Sequence, residues 1–230
     1  MMELIDTYWL YFLVGQYPKG PLGGLALTLV LASLGLLLAL PLGLLLGLAR
    51  VSPRAWLRRS VSGLVFVVRG TPLLMVVFWA YFFLPVITGQ KTDQFSTMLA
   101  ALVLFDAAYL AEIVRAGLLA LPQGQMQAAR SLGMSYGQAM RLVLLPQALR
   151  HMLPSLINQF ISTIKETSLG TIIGLTEVSH IATQINVQVM VKPLQVYGAL
   201  ALSYFVLCFG LSRLAYALEA RLTTRQASGG

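Results

Sequence analysis

Ionised side chains are scarce in this sequence, and several stand where their neighbours offer no water. Of 230 residues, 57% are hydrophobic and 10% are charged. Arg69 follows Val-Phe-Val-Val and precedes Gly70-Thr71-Pro72. Asp106 and Glu112 fall late in an apolar run, and Lys165-Glu166 leads into Thr167-Ser168. A charge in hydrocarbon is costly and is retained for function or for a partner. Arg69 beside Gly70 and Pro72 fits a broken helix lining a cavity, or an arginine reaching back to the headgroups. Glu112 and Arg115, three residues apart, suit a helical ion pair. Lys165 and Glu166 project about 100° apart on a helix and need not pair with each other. With the nearby hydroxyls they fit a solute cavity as well as a buried ion network. The candidate substrate path is therefore Arg69, Thr71, Asp106, Lys165, Glu166 and Ser168, with a cation facing the carboxylate of the solute.

Catalysis finds no support. No Ser/His/Asp arrangement or carboxylate pair at catalytic spacing is visible. His151 and His180 are too distant to predict a metal site, and Cys208 is the only cysteine. No cofactor is expected on this chain.

The elements that must position these groups are membrane helices. A mean hydropathy of +0.78 and long apolar runs exclude a soluble fold of this size. The whole chain, 1–230, reads as one all-α polytopic transmembrane domain. Five segments can cross about 30 Å of hydrocarbon: roughly 23–49, 62–87, 96–120, 152–175 and 195–218. In the first, Gly35, Gly43 and Gly47 would permit close helix contacts. The net charge of +8 gathers in loops beside apolar runs, which argues for membrane lipid and against nucleic acid as the partner. Arg50, Arg54, Arg58 and Arg59 follow the first span, Arg115, Arg130, Arg141 and Arg150 the third, and Arg213, Arg221 and Arg225 outweigh Glu219 in the tail. The opposite side holds Glu3, Asp6, Lys19, Lys91, Asp93, Glu177 and Lys192. The positive-inside rule then puts the N-terminus outside and the C-terminus in the cytoplasm, which five spans satisfy. Glu3 and Asp6 do not suit the positive start of a cleavable signal, so Tyr8–Val14 reads as an interfacial segment.

Residues 122–150 form a polar interruption with helix signals of its own. Met126, Ala129 and Leu132 share one helical stripe. Gly133 stands where a left-handed residue would end that helix. Ser135 and Gln138 make the S-x-x-Q pattern that opens a second helix, and Pro146 interrupts or kinks it before the fourth span.

This loop resembles the cytoplasmic E-A-A-x3-G-x9-I-x-L-P motif of permease subunits of bacterial ABC importers. Gln127-Ala128-Ala129, Gly133, Val143 and Leu145-Pro146 match every spacing, with Gln127 in place of glutamate. The blocks RGTPLL (69–74), AAYLAEIVRAGL (107–118), LPQGQ (121–125), LLPQALR (144–150) and KETSLGTIIG (165–174) are similar to the polar-amino-acid branch, most of all its glutamate/aspartate permeases. The resemblance implies a second permease subunit, two cytoplasmic ATPase subunits that hold the ATP and Mg, and an extracytoplasmic solute-binding protein. It implies that Gln127, Ala128, Ala129, Gly133, Leu145 and Pro146 shape the contact with the ATPase, and that the complex lies in the bacterial inner membrane. No G-x4-G-K-[ST] sequence occurs, so hydrolysis falls to another chain. A secondary transporter or channel independent of ATP is the rival reading. An intramembrane enzyme is a second, and it lacks paired catalytic groups at one depth.

Overall fold

A computed structural model describes residues 2–190 and 192–227, and the side chains of 7–190 and 192–217. The side chains of Glu3, Asp6, Glu219, Arg221 and Arg225, used above for orientation, lie outside that range. The described residues are almost entirely helical, with two isolated bridges, Gly15 to Leu22 and Gly24 to Glu177, in place of any strand. Helix α1 (Met2–Val14) precedes α2 (Gly24–Arg50), α3 (Ala55–Gly70), α4 (Leu73–Phe78), α5 (Leu84–Thr88) and α6 (Gln94–Leu119). Then come α7 (Gly124–Ser131), α8 (Tyr136–Ala139), α9 (Leu145–Glu166), α10 (Val178–Val189) and α11 (Pro193–Ala227).

The centre of the bundle is the seam between α2 and α6. Gly35, Ala39, Gly43 and Gly47 recur every four residues, so they share one face of α2. That face lies against Leu102, Leu110 and Val114 of α6, and a Cβ on Gly47 would come within 2.5 Å of the Val114 Cβ. Small residues let two membrane helices approach and gain dispersion contacts where no hydrophobic drive exists between them. Glycines 35, 43 and 47 thus act as the sequence suggests. Helix α1 packs Tyr8, Tyr11 and Phe12 onto Ile181 and Ile185 of α10 and leaves Trp9 and Leu13 exposed.

Two expected spans differ from the sequence reading. Residues 62–87 are broken: α3 and the α4–α5 rod meet at 91° across Thr71-Pro72. Pro72 disfavours the helical conformation at Thr71, and Thr71 and Pro72 are both extended, so the helix stops at Gly70. Residues 152–175 are not one helix. Helix α9 ends at Glu166, and a 3-10 stretch, Thr167–Ile173, carries the chain to Gly174 at φ +77°. The hydroxyls of Thr167 and Ser168 donate to the carbonyls of Ile164 and Lys165, 2.8 and 2.7 Å away, and so hold the tighter turn. By length and composition α2, α6 and Pro193–Ala217 of α11 can cross a membrane, and the bent pair raises that to four, where the sequence predicts five. At 22 residues α9 would reach about 33 Å, but Arg150, Lys165, Glu166 and several amides keep it less apolar than the others.

Two π-helical turns, Trp79–Phe83 and Met140–Leu144, each precede a Leu-Pro pair. Proline cannot donate to the carbonyl four residues back, and a widened turn is one way to absorb that loss without breaking the helix. Pro146 is thus accommodated by a widened turn at the entry to α9.

Candidate functional site

Asp106 is fully buried on α6, facing α9. Gln159, Thr163 and Glu166 follow one another at i, i+4 and i+7, one stripe of α9. Gln159 Nε2 donates to Asp106 Oδ1 at 2.8 Å. The Thr163 hydroxyl lies 3.0 Å from both Asp106 oxygens and 2.9 Å from the Gln159 carbonyl. Gly35 of α2 borders this site, and a Cβ on it would stand in ordinary contact, 4.0 Å from Asp106 Oδ2. Glu166 ends the stripe. Its Oε2 is buried without a hydrogen-bond partner, and it is repelled by Asp106 and attracted by Lys165. An enclosed carboxylate oxygen without a donor costs roughly 1–3 kcal/mol. Lys165, one residue off the stripe, is exposed.

Arg69 and Thr71 stand elsewhere. Glu112 takes hydrogen bonds from Arg50 and Arg115, and Arg69 Nη1 lies 3.5 Å from Glu112 Oε2. The Arg69 guanidinium also sits 5.0 Å above the Tyr109 ring, a cation–π distance. The expected Glu112–Arg115 pair is therefore one part of a knot joining α2, α3 and α6. Thr71 donates to Val67 O at 3.0 Å, and Ser168 to Lys165 O, so both hydroxyl protons are engaged with backbone at helix breaks. The two breaks still meet: Leu73 and Val77 of α4 pack with Leu169 and Ile173 of the 3-10 stretch.

Glu177, assigned above to an outer loop, is fully buried. Its Oε1 accepts from the Thr171 hydroxyl at 2.8 Å and from the His180 amide at 2.9 Å, capping α10. Its Oε2 accepts from Tyr204 Oη at 3.3 Å and Thr28 Oγ1 at 3.4 Å. One carboxylate thus ties α2, the 3-10 stretch, α10 and α11. The signal for it was Glu-x-x-His before an apolar run, a helix-cap pattern. For Gln159 and Thr163 it was the polar i, i+4, i+7 period within a weak span.

The polar loop folds outward as two helices. Gly133 has φ +83°, its amide donates to Arg130 O at 3.0 Å, and the Met134 amide donates to Ala129 O at 3.2 Å. That pair of bonds is a Schellman ending, and it places a glycine where a Cβ is strained. Ser135 and Gln138 close the capping box. Ala129 is buried against Leu118, Leu144 and Met152, with Ala139 beside it, whereas Gln127, Ala128, Gly133 and Pro146 are exposed. Leu132 leaves the expected apolar stripe: it is 81% exposed, because the helix ends one residue before it. The Tyr136 hydroxyl, whose pKa burial pushes above its ordinary value, donates to Val51 O at 3.2 Å and pins the loop to the end of α2.

Broken apolar helices, a buried acidic stripe and a glycine-capped polar loop are the parts of a solute-translocating membrane subunit. The chain belongs to the family described as binding-protein-dependent transport system inner membrane component, which matches residues 39–224. It is 38% identical over 228 residues to the inner membrane amino-acid ABC transporter permease protein YhdY of Escherichia coli, covering 95% of this chain and 62% of that one. It is 38% identical over 216 residues to the probable glutamine ABC transporter permease protein GlnP of Bacillus subtilis, covering 91% and 99%. The arginine transport system permease protein ArtQ of Bacillus subtilis is 37% identical over 206 residues, covering 87% and 91%. A crystal structure of an amino acid ABC transporter with histidines superposes with a TM-score of 0.79 at 35% identity, covering 86% of this chain and 92% of that one. The protein is a permease subunit of an amino-acid ABC importer in the inner membrane.

Proposed function

We propose that this permease passes an amino acid with a neutral or basic side chain along the polar stripe of α9 that ends at Glu166 and faces Asp106 of α6. The enclosed, unpartnered Glu166 Oε2 beside buried Asp106 carries this reading. An ammonium or guanidinium donates to Glu166, and exposed Lys165 meets the substrate carboxylate. A charge-assisted hydrogen bond of this kind contributes about 1.5–3 kcal/mol. Arg69, Thr71 and Ser168 then stabilise the helix breaks that border the path. On this reading a glutamate or aspartate substrate is disfavoured, because its second carboxylate would face Asp106 and Glu166. Glutamine and arginine, specified in the names of GlnP and ArtQ, suit the acidic lining.

The working unit is a pair of permeases that cross the membrane five times each, with the N-terminus outside. An extracytoplasmic binding protein delivers the solute. Residues 122–150 form an EAA-type coupling loop that docks on two cytoplasmic ATPases holding ATP and Mg. The arginine asymmetry of the loops, the motif spacing and the family support this arrangement. The exposed face of α7, with Gln127 and Ala128, is the docking surface, and the Gly133 ending sets its angle. This chain contributes no catalytic group.

The complete importer in proteoliposomes, given ATP and labelled amino acids, provides the test. Arginine or glutamine should accumulate and glutamate should not. Accumulation of glutamate alone would overturn the acidic-path reading.

A further inference from the structure

A groove of about 600 Å³ lies between the end of α2, the 50–57 turn and the second half of the polar loop. Its walls are apolar, with Leu45 and Leu48 from α2, Leu57 from α3 and Met140 from the π turn. Leu45 belongs to a helix apolar enough to span a membrane and is 65% exposed, so the groove is open along that helix. Its polar rim is cationic. Arg141 lines it and has no ion pair among the described residues, and Arg58 Nη1 donates at 3.1 Å to the carbonyl of Ser52, another lining residue. No acidic residue lines it.

We infer that this groove holds one anionic phospholipid, its phosphate at Arg141 and Arg58 and an acyl chain along Leu45 and Leu48. The occupant is a lipid, not a soluble partner, because one wall faces hydrocarbon while the rim faces the headgroups. The opposite wall is the loop itself, so the lipid braces that loop against α2 beside the Tyr136–Val51 tie. This inference rests on the reading that residues 122–150 couple the permease to its ATPases.

The test uses the complete importer in vesicles of phosphatidylcholine, with and without phosphatidylglycerol. Phosphatidylglycerol should raise substrate-dependent ATP hydrolysis by the wild type. Arg141→Gln should lower that gain about fivefold, the factor for about 1 kcal/mol per basic side chain at an anionic surface. Gly137→Leu, which adds bulk to the groove at a position whose Cβ meets open space, should reduce the phosphatidylglycerol that copurifies with the complex. Inorganic phosphate should not replace the lipid. An Arg141→Gln complex that responds like the wild type overturns the site, as does phosphate acting in place of lipid. If Arg141→Gln instead loses its ATPase subunits on gel filtration, Arg141 belongs to the docking surface and the lipid site is wrong. If wild-type hydrolysis is insensitive to substrate in every vesicle, the coupling reading has failed instead.

Discussion

Glu166 and Glu177 lie in one stretch of chain, both withdrawn from solvent, and they are treated in opposite ways. Both Glu177 oxygens are occupied, by three hydroxyls and a helix amide. Glu166 keeps one enclosed oxygen bare. A fully satisfied buried carboxylate specifies packing, and a bare one is a standing cost that a ligand can relieve. The contrast separates architecture from transport within a single polar segment.

Glu177→Ala should break the architectural side of that contrast and gives the largest effect. It takes the acceptor from the Thr171 hydroxyl and the His180 amide, at about 1–3 kcal/mol for each unsatisfied group, and removes one of two partners from the Thr28 and Tyr204 hydroxyls. The purified complex should lose several degrees in a thermal-unfolding scan or fail to accumulate in the membrane. Wild-type stability would show that Glu177 is not the tie it resembles.

Gly133→Val tests whether the polar loop belongs with the architecture or with function. The added side chain has open space but a disfavoured φ, for about 1–3 kcal/mol of local strain. Because the strain sits outside the bundle, membrane insertion should be normal while substrate-stimulated ATP hydrolysis falls. Normal hydrolysis would remove Gly133 from the coupling geometry.

Thr71→Val should have the smallest effect. It removes one exposed hydroxyl-to-backbone bond, worth about 0.5–1.5 kcal/mol at most. Uptake should remain within a few-fold of wild type. A complete loss would return Thr71 to the substrate path and blur the division between breaks and site.

Much of this was legible in the sequence because it depends on local chemistry. Gly133 and the Ser135–Gln138 box are fixed by backbone geometry a few residues long, and the Arg69–Pro72 break follows from proline sterics. The partners of the charges were not legible. Arg69 and Lys165 look alike in sequence, as cations beside helix-disturbing residues. Tertiary packing brings Arg69 to Glu112 and Tyr109 and leaves Lys165 exposed. Glu177 reads as a loop charge in sequence because its hydroxyl partners Thr28 and Tyr204 come from distant helices. The limits of α9 were misplaced because Thr167 and Ser168 tighten the chain after Glu166 while apolar residues continue beyond them.

Uptake by the Glu166→Gln importer tests the central claim most directly. The substitution keeps the size of the side chain and removes its charge, so the complex should assemble with its ATPases and be at least as heat-stable as the wild type. Uptake of arginine or glutamine should fall about ten- to a hundredfold, as expected for one lost charge-assisted hydrogen bond. Normal uptake, or a complex that no longer assembles, would contradict the assignment of Glu166 to the substrate.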